Sequence, residues 1–360
     1  MAIAAYIKEI GRGKEGARAL STEQAFDLMS QVLAGQVTDL ELGAFCLAMR
    51  IKGETAQELD GFVRATHAHC LDLRPARAEV ARVARVARVA PVAPVGRVGR
   101  VGQVGQVGQG AGVPPEKVPG LILLPSYNGA RKLPNLTPLL AWALAQRGVS
   151  VLVHGLREDP TRITSAQVFA AGGWPVVDAV DAVDGAAALG RAWAAGQPAF
   201  MPTEVLCPPL ARLLAVRWVI GLRNPGHTLA KLINPLGQGM QVVNHTHPEY
   251  GVSLAEYIAL GRVNALLMRG TEGEPVADAR RQPRFDVFLR GQREPSLCRA
   301  PQDGVLTALP DLPQGREAEV TARWTQSVID GHTPLPAAIA AQADCLVEAL
   351  AGLSERPPLA

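Results

Sequence analysis

The first 70 residues place apolar side chains at helical spacing, and this pattern predicts a small bundle of helices. One helix is predicted over "STEQAFDLMSQVLAG", where Ser21 is followed three residues later by Gln24. A second is predicted over "TDLELGAFCLAMRIKG", where Thr38 and Glu41 have the same spacing. This spacing is typical of an N-terminal capping box, and both segments end in glycine, a common helix stop. A third helix is predicted over "TAQELDGFVRATHAHC".

Beyond residue 115, short apolar segments alternate with helical ones. The strand candidates are "LILLP", "VSVLVHG", "AFMP", "MQVVNH" and "VNALLMRG". The helix candidates between them are "PNLTPLLAWALAQRG", "TRITSAQVFAAGG", "PPLARLLAVRWVIG" and "GVSLAEYIALG", and two more follow near 317–330 and 335–350. The alternation predicts an α/β domain with a mostly parallel central sheet.

The stretch between these two regions has no helical or strand period. From Val80 to Val107 a valine recurs at every third residue, a spacing that makes neither a helix nor a strand face apolar. We therefore predict a helical domain over 1–75, a low-complexity disordered insertion over 76–115 and an α/β domain over 116–360. Part of 160–235 is expected to pack with the helical domain.

Overall charge says little about partners, but its distribution is informative. The net charge of this 360-residue chain is +3, and segment 77–115 alone contributes six arginines and one glutamate. By contrast, segment 121–170 has five Lys or Arg against two acids, and 201–240 has four against one, so these central segments can form a basic face. The five cysteines have no disulfide or metal-site spacing, and neither a signal peptide nor a membrane span is indicated. We expect a cytoplasmic protein without a membrane partner.

The turn after the first predicted strand has the features of an anion site. In "LILLPSYNGARKLPNLT" a buried strand leads into a turn that carries Arg131 and Lys132, and a helix is predicted to begin near Pro134. This is the order in which α/β proteins present a phosphate to a helix N-terminus. The turn is therefore a candidate phosphate contact.

Several motifs resemble the anthranilate phosphoribosyltransferase family, also called glycosyltransferase family 3. They are "GAFCLAMRIKGET" in the bundle, the strand end "VLVHG", the long segment "VRWVIGLRNPGHTLAKLINPLG" and the loop "VNALLMRGTEGE". The resemblance covers nearly everything except the valine repeat. It implies a helical bundle on an α/β domain, and an enzyme that binds phosphoribosyl pyrophosphate with Mg²⁺ and transfers the phosphoribosyl group to an aromatic acceptor.

The motifs that bind phosphoribosyl pyrophosphate in that family are altered here. The family's Gly-Thr-Gly-Gly-Asp loop falls on 125–129, where side chains replace the glycines that let backbone N–H groups approach a pyrophosphate. The family's adjacent Asp and Glu, which hold the metal, fall on Pro275 and Val276, and neither offers the oxygen ligands that Mg²⁺ requires. Glu272 and Glu274 are close enough to keep a metal role open. We nevertheless expect no metal, no cofactor and no catalytic residue.

Other segments resemble a divergent, YbiB-type branch of the family. They are "LPSYNGARKLPNLTPLLA", "HGLREDPTRI", "CPPL" and "RNPGHTLAKL". This resemblance implies a homodimer that binds DNA and RNA through a basic surface without marked sequence preference. The candidate nucleic-acid contacts are Arg131, Lys132, Arg157, Arg162, Arg212, Arg217, Arg223 and Lys231. The residual ligand pocket is expected to contain Ser126, Tyr127, Asn128, Gly129, Asn135, Thr137, His154 and Gly155.

Two functions remain open from the sequence. The first is a non-catalytic nucleic-acid-binding protein whose affinity comes mainly from Lys and Arg contacts to phosphates. The second is a phosphoribosyltransferase, which the retained Asn135, His154, Arg157 and Arg217 favour. Tyr127 is a candidate for stacking on a base. The sequence does not distinguish DNA from RNA as the partner.

Overall fold

The computed structural model describes residues 3–76, 120–305 and 309–354. The predicted insertion 76–115 lies outside these ranges, except for its first residue, Ala76. The side chain of Ala76 is buried in the core beside the helical bundle.

The described residues before 77 form the helical bundle. Its helices are α1 (Ala4–Ile10), α2 (Gly13–Gly16), α3 (Thr22–Leu33), α4 (Asp39–Lys52) and α5 (Ala56–His67). Both predicted capping boxes are confirmed. The side chains of Ser21 and Thr38 accept hydrogen bonds from the backbone N–H groups of Gln24 and Glu41, and the side chains of Gln24 and Glu41 accept hydrogen bonds from the backbone N–H groups of Ser21 and Thr38. A further capping box begins α5 at Thr55. These caps satisfy N–H groups that a helix start otherwise leaves unpaired.

A mixed sheet of seven strands lies at the centre of the described α/β region, with the order β3-β2-β1-β4-β5-β6-β7. The strands are β1 (Leu121–Pro125), β2 (Ser150–Gly155), β3 (Ala199–Pro202), β4 (Met240–His245), β5 (Ala265–Arg269), β6 (Phe285–Leu289) and β7 (Gln292–Arg293). Strands β1 to β5 are parallel, and they correspond to the five predicted strand segments. Strands β6 and β7 pair antiparallel at one edge. The prediction of a mostly parallel sheet is confirmed.

Helices connect the strands and cover both faces of the sheet. They are α6 (Thr137–Ala145), α7 (Ser165–Ala171), α8 (Ala182–Ala194), α9 (Thr203–Leu206), α10 (Pro208–Ala215), α11 (Arg217–Ile220), α12 (Gly226–Leu229), α13 (Pro248–Leu260), α14 (Ala318–Ile329) and α15 (Ala337–Ser354). Because side chains alternate along a strand, the sheet separates two cores. Leu123 and Leu152 face the bundle and share its core with Phe62, whereas Leu124 and Val153 face the core that contains α15.

Helices α10 and α12 pack on the bundle side of the sheet. Leu210, Leu213 and Leu229 belong to the same apolar core as Phe45 and Phe62 of the bundle. The chain between β3 and β4 therefore joins the two regions, and it carries several of the predicted cations to the boundary between them.

The strand order reverses between β1 and β4. The chain moves outward from β1 to β2 and β3 on one side, and from β4 to β5 on the other. In open parallel sheets, ligands bind in the crevice outside the carboxyl ends of the strands at such a reversal. The turn that begins at Ser126 lies at this point, because it directly follows β1.

Helix α15 is, by length and composition alone, apolar enough to cross a membrane. It also contributes Ile339 and Leu346 to the core beneath the sheet. Its two acids, Asp344 and Glu348, lie 2.8 Å from the guanidinium groups of Arg147 and Arg299. These contacts are typical of the core helix of a folded domain, which passes the same test of length and composition.

Candidate functional site

The turn after β1 closes around the carboxylate of Glu274. Glu274 follows β5 in the chain, and its side chain is buried. Its carboxylate accepts the backbone N–H groups of Gly129 at 2.7 Å and Asn128 at 3.1 Å. The hydroxyl groups of Ser126 and Thr137 also donate to it, that of Thr137 at 3.2 Å. Backbone and hydroxyl donors thus converge on one carboxylate.

The side-chain amide of Asn135 completes this set of donors, since its Nδ2 lies 3.5 Å from Glu274 and 3.1 Å from the hydroxyl of Ser165. Burial raises the pKa of the Glu274 carboxyl, and hydrogen bonds from Ser126 and the backbone oppose that rise. Five of the eight residues predicted to line a residual ligand pocket therefore contact Glu274. They are Ser126, Asn128, Gly129, Asn135 and Thr137.

The backbone geometry of the turn requires glycine at position 129. Gly129 has φ of +71°, and a Cβ atom there would lie 2.9 Å from the carbonyl oxygen of Ile163. Glycine adopts this conformation without the steric cost that other residues incur. It allows the N–H of residue 129 to point at Glu274.

A second carboxylate, that of Glu272, binds the next part of the same turn. It accepts the backbone N–H groups of Arg131 at 2.8 Å, Lys132 at 2.9 Å and Leu133 at 3.0 Å. Burial pushes the pKa of Glu272 upward, but the hydrogen bonds from these three residues outweigh it and lower that pKa. Consecutive N–H groups that converge in this way form an anion-binding nest.

The arrangement does not fit a magnesium ion of the kind that the family resemblance implies. Pro275 and Val276 stand where the family has its metal-binding acids, and neither side chain has an oxygen atom. The carboxylates of Glu272 and Glu274 face N–H and O–H donors, which compete with a cation for the same lone pairs. Among the described residues, no cluster of three His, Cys, Asp or Glu side chains could hold a metal ion.

A cleft of about 170 Å³ opens between α4 and the turn on the bundle side of the sheet. Tyr127 forms part of its wall, and the guanidinium of Arg223 donates to the Tyr127 hydroxyl at 3.5 Å. The Lys231 ammonium also lines the cleft and donates to the carbonyl of Asn244 at 3.0 Å. Burial and the neighbouring Arg223 lower the pKa of Lys231 to about 8 and that of His227 to about 3. Arg223 and Lys231 supply the positive charge of this cleft, whereas His227 is neutral near pH 7.

Of the three remaining predicted pocket residues, Tyr127 lines this cleft, whereas His154 and Gly155 lie at the end of β2. The ring of Tyr127 is 3% exposed and packs edge-on against His227, so it offers no face on which a base could stack. His154 is buried, and neither of its ring nitrogens has a hydrogen-bond partner among the described residues. Gly155 packs so tightly against the carbonyl of Ser126 that a side chain would clash there.

Comparisons of sequence and fold identify the relatives of this chain. The bundle matches, over residues 4–70, the family model described as glycosyl transferase family, helical bundle domain. The Escherichia coli K12 protein named uncharacterized protein YbiB is 37% identical over 346 residues, which cover 95% of this chain and 92% of the relative. The chain belongs to the YbiB-type branch of the anthranilate phosphoribosyltransferase-like family.

More distant members of the wider family carry a named activity. The anthranilate phosphoribosyltransferase of Symbiobacterium thermophilum is 24% identical over 91% of this chain and 82% of its own length. The crystal structure of the Thermus thermophilus enzyme has a TM-score of 0.58 at 21% identity, with 96% of each chain covered. The Saccharomyces cerevisiae enzyme in complex with PRPP and Mg has a TM-score of 0.55 at 12% identity, covering 98% of this chain and 95% of its own. These structures confirm the predicted fold.

In this YbiB-type chain the eight predicted nucleic-acid contacts differ in exposure. Three of them, Arg131, Lys132 and Arg212, are exposed. Arg157 lies 2.7 Å from Asp178, and Arg217 lies 3.6 Å from Asp159, so both form ion pairs near the surface. The others turn inward. They are Arg162, which donates to the carbonyl of Gly129 at 3.0 Å, and Arg223 and Lys231 in the cleft.

The structure adds two features that the sequence analysis missed. Glu274 was considered only as a metal ligand, although an acid in the loop after a buried parallel strand is well placed to meet the turn after a nearby strand. Trp218 is 51% exposed, and the guanidinium carbon of Arg217 lies 4.3 Å from its ring centroid. The adjacent pair Arg217 and Trp218 in the sequence was the available signal for this exposed aromatic surface.

Proposed function

We propose that this protein is a non-catalytic, sequence-nonspecific nucleic-acid-binding protein built on the anthranilate phosphoribosyltransferase fold. Its partner is DNA, RNA or both, and the binding is electrostatic. The free state of all five cysteines suits the reducing conditions of a cytoplasm, where nucleic acids are available.

One observation carries the proposal. The turn that would hold a pyrophosphate directs its N–H groups at Glu274, while Arg131 and Lys132 of the same turn extend into solvent. A buried carboxylate with several hydrogen bonds is costly to displace. Long exposed cations, by contrast, suit the repeated phosphates of a polynucleotide, which need no enclosed pocket.

We also propose a homodimer. Helix α4 exposes Leu40, Leu47 and Ile51, whose exposed fractions are 84%, 46% and 56%. Their spacings of seven and four residues place them on one side of the helix. Exposed apolar stripes of this kind mark protein interfaces. In the proposed dimer, a second copy of the chain covers this stripe.

The proposal is tested by titrating a fluorescently labelled random-sequence duplex of 30 base pairs with the full-length protein at 50 to 400 mM NaCl. The logarithm of the affinity should fall linearly with the logarithm of the salt concentration, since each phosphate contact releases condensed counterions. A second duplex of unrelated sequence should give the same slope and a similar affinity. Equal binding at 50 and 400 mM would overturn the proposal.

The second candidate is a phosphoribosyltransferase, and the cationic cleft favours it. Arg223 and Lys231 line a cavity into which an anionic small molecule could fit. Isothermal titration calorimetry with phosphoribosyl pyrophosphate and Mg²⁺ separates the two functions. We expect no saturable heat, and saturable metal-dependent binding would favour the enzyme instead.

A further inference from the structure

A groove of about 500 Å³ lies beside the turn and is lined in part by Leu133 and Glu272. Arg269, Arg281 and Arg284 line it together with Asp278. All three arginines are exposed. In the sequence these arginines are dispersed among acidic residues, so no local basic pattern marks them.

The nest formed by the N–H groups of Arg131, Lys132 and Leu133 borders this groove at Leu133. Leu133 and Glu272 both line the groove, and the Glu272 carboxylate fills the nest. A phosphate oxygen accepts hydrogen bonds from consecutive backbone N–H groups in the same manner as a carboxylate. An anion bound here would also lie beside the exposed side chains of Arg131 and Lys132.

Glu272 differs from Glu274 in ways that permit exchange. Glu272 is only partly buried, whereas Glu274 is 1% exposed. The backbone of Glu272 is held separately, since the Asn128 side-chain amide donates to its carbonyl oxygen at 2.6 Å. The Glu272 side chain can therefore leave the nest by rotation about its own bonds while the loop stays in place.

We propose that the nest of residues 131–133, beside the arginine-lined groove, binds a backbone phosphate of a polynucleotide, and that Glu272 is the internal anion which this phosphate displaces. The inference rests on the proposed nucleic-acid function and adds the site of one phosphate. Glu272 then lowers the affinity, because its carboxylate competes for the same N–H donors and repels the incoming charge.

The test compares Glu272→Gln with Asp278→Asn in the full-length protein. Both variants remove one negative charge from the groove, but only Glu272 occupies the nest, since Asp278 pairs with Arg280 at 2.6 Å. At 100 mM NaCl we expect Glu272→Gln to bind a labelled 20-nucleotide strand about tenfold more tightly, and Asp278→Asn to gain about threefold or less. Equal gains in the two variants, or no gain in Glu272→Gln, would overturn the inference.

A third variant tests whether the tighter binding expected for Glu272→Gln depends on the arginines of the groove. Arg281→Ala in the Glu272→Gln background should remove most of the added affinity, because the phosphate would lose a cation beside the nest. Circular dichroism and thermal unfolding establish that each variant is folded. If Glu272→Gln does not fold, Glu272→Ala is titrated instead, with the same expectation and the same contradicting result.

Inorganic pyrophosphate distinguishes a polynucleotide phosphate from a small phosphate compound. Tighter strand binding by Glu272→Gln without saturable pyrophosphate binding supports the inference as stated. Pyrophosphate binding without tighter strand binding would overturn it in favour of a small-molecule site. If the affinity of the wild type for nucleic acid does not depend on salt, the proposed function is contradicted. If the wild-type affinity falls with salt but Glu272→Gln binds the strand no more tightly than the wild type, only this inference is contradicted.

Discussion

The backbone N–H of Gly129 donates to the carboxylate of Glu274 at 2.7 Å, although the two residues are 145 positions apart in the chain. This contact joins the turn after β1 to the loop after β5 across the intervening strand β4. The turn is thus held in an anion-binding conformation by an anion that belongs to the protein itself. Buried N–H groups that converge on one point are unfavourable unless an acceptor satisfies them.

Glu274→Gln should destabilise the fold by about 1–3 kcal/mol, because the variant places an amide N–H₂ among donors and leaves at least one of them without an acceptor. Urea-induced unfolding measures the change. Glu256→Gln, at an exposed position on α13, is the matched control and should change stability by about 0.5 kcal/mol or less. An unfolding free energy of Glu274→Gln equal to that of the wild type would show that this cluster does not stabilise the turn.

Arg131→Ala combined with Lys132→Ala should weaken the salt dependence of duplex binding. The slope of the logarithm of the affinity against the logarithm of the salt concentration should become shallower by up to about 1.8 if both residues contact phosphates fully. The folding stability should stay nearly constant, since both side chains are exposed and only their backbone N–H groups bind Glu272. Salt titration of the folded double variant provides the measurement.

The control for this variant removes two cations elsewhere. Arg191 on α8 and Arg323 on α14 are exposed, so their replacement by alanine changes the net charge by the same amount. Only the variant at the turn should flatten the slope. A similar effect in both double variants would indicate that net charge, rather than this surface, sets the affinity.

Much of the fold was predictable because it depends on local patterns. The capping pairs Ser21 with Gln24 and Thr38 with Glu41 are three residues apart, and the five parallel strands are short apolar runs. The segment "PPLARLLAVRWVIG" was predicted as one helix, but the structure ends α10 at Ala215 and begins α11 at Arg217. Strands β6 and β7 were not predicted, and β7 is only two residues long.

The site was predictable only in part, because its decisive contacts are distant in the sequence. The position of the turn follows from the end of β1. Its partner Glu274 follows β5, and it lies near the turn only because the sheet places β5 two strands away from β1. Likewise, Lys231 looked like a surface cation in the sequence, yet it lies in a cleft and donates to Asn244. Burial of a charged side chain depends on tertiary packing, which a local pattern does not determine.

Acidification should destabilise the protein through its buried histidines. Burial lowers the pKa of His154 to about 4, while the pKa of histidine in an unfolded chain is about 6.5. As the pH falls from about 6.5 towards 4, the unfolded state binds a proton that the folded state does not. The unfolding free energy should therefore decrease by up to about 1.4 kcal/mol per pH unit for this group.

Urea unfolding at pH 7.5, 6.0 and 5.0 measures this dependence. His154→Gln should reduce it without abolishing it, because burial also lowers the pKa values of His227 and His245. His332→Gln, at an exposed position, serves as the control. Identical pH profiles for the wild type and His154→Gln would contradict the expectation.

Trp218→Ala should weaken the binding of single-stranded nucleic acid more than that of duplex. The exposed ring, held against the guanidinium of Arg217, offers a surface on which an unpaired base can stack, which is worth about 1–3 kcal/mol per base. A labelled single strand and its duplex, titrated at one salt concentration, give the comparison. Trp218→Phe should retain most of the single-strand affinity, and equal losses for strand and duplex would argue against stacking.

Leu47→Glu combined with Ile51→Glu should convert the proposed dimer into a folded monomer. These exposed residues lie one helical turn apart on α4, so the contact would bury the added carboxylates without partners and bring them close to the same carboxylates of the second copy. Sedimentation equilibrium measures the change in mass, and unfolding should show little loss of monomer stability. The monomer should also bind long duplexes more weakly than the wild type, because two linked surfaces raise the effective concentration of the second contact. A wild-type chain that sediments as a monomer would contradict the dimer and leave the salt-dependence test of nucleic-acid binding unaffected.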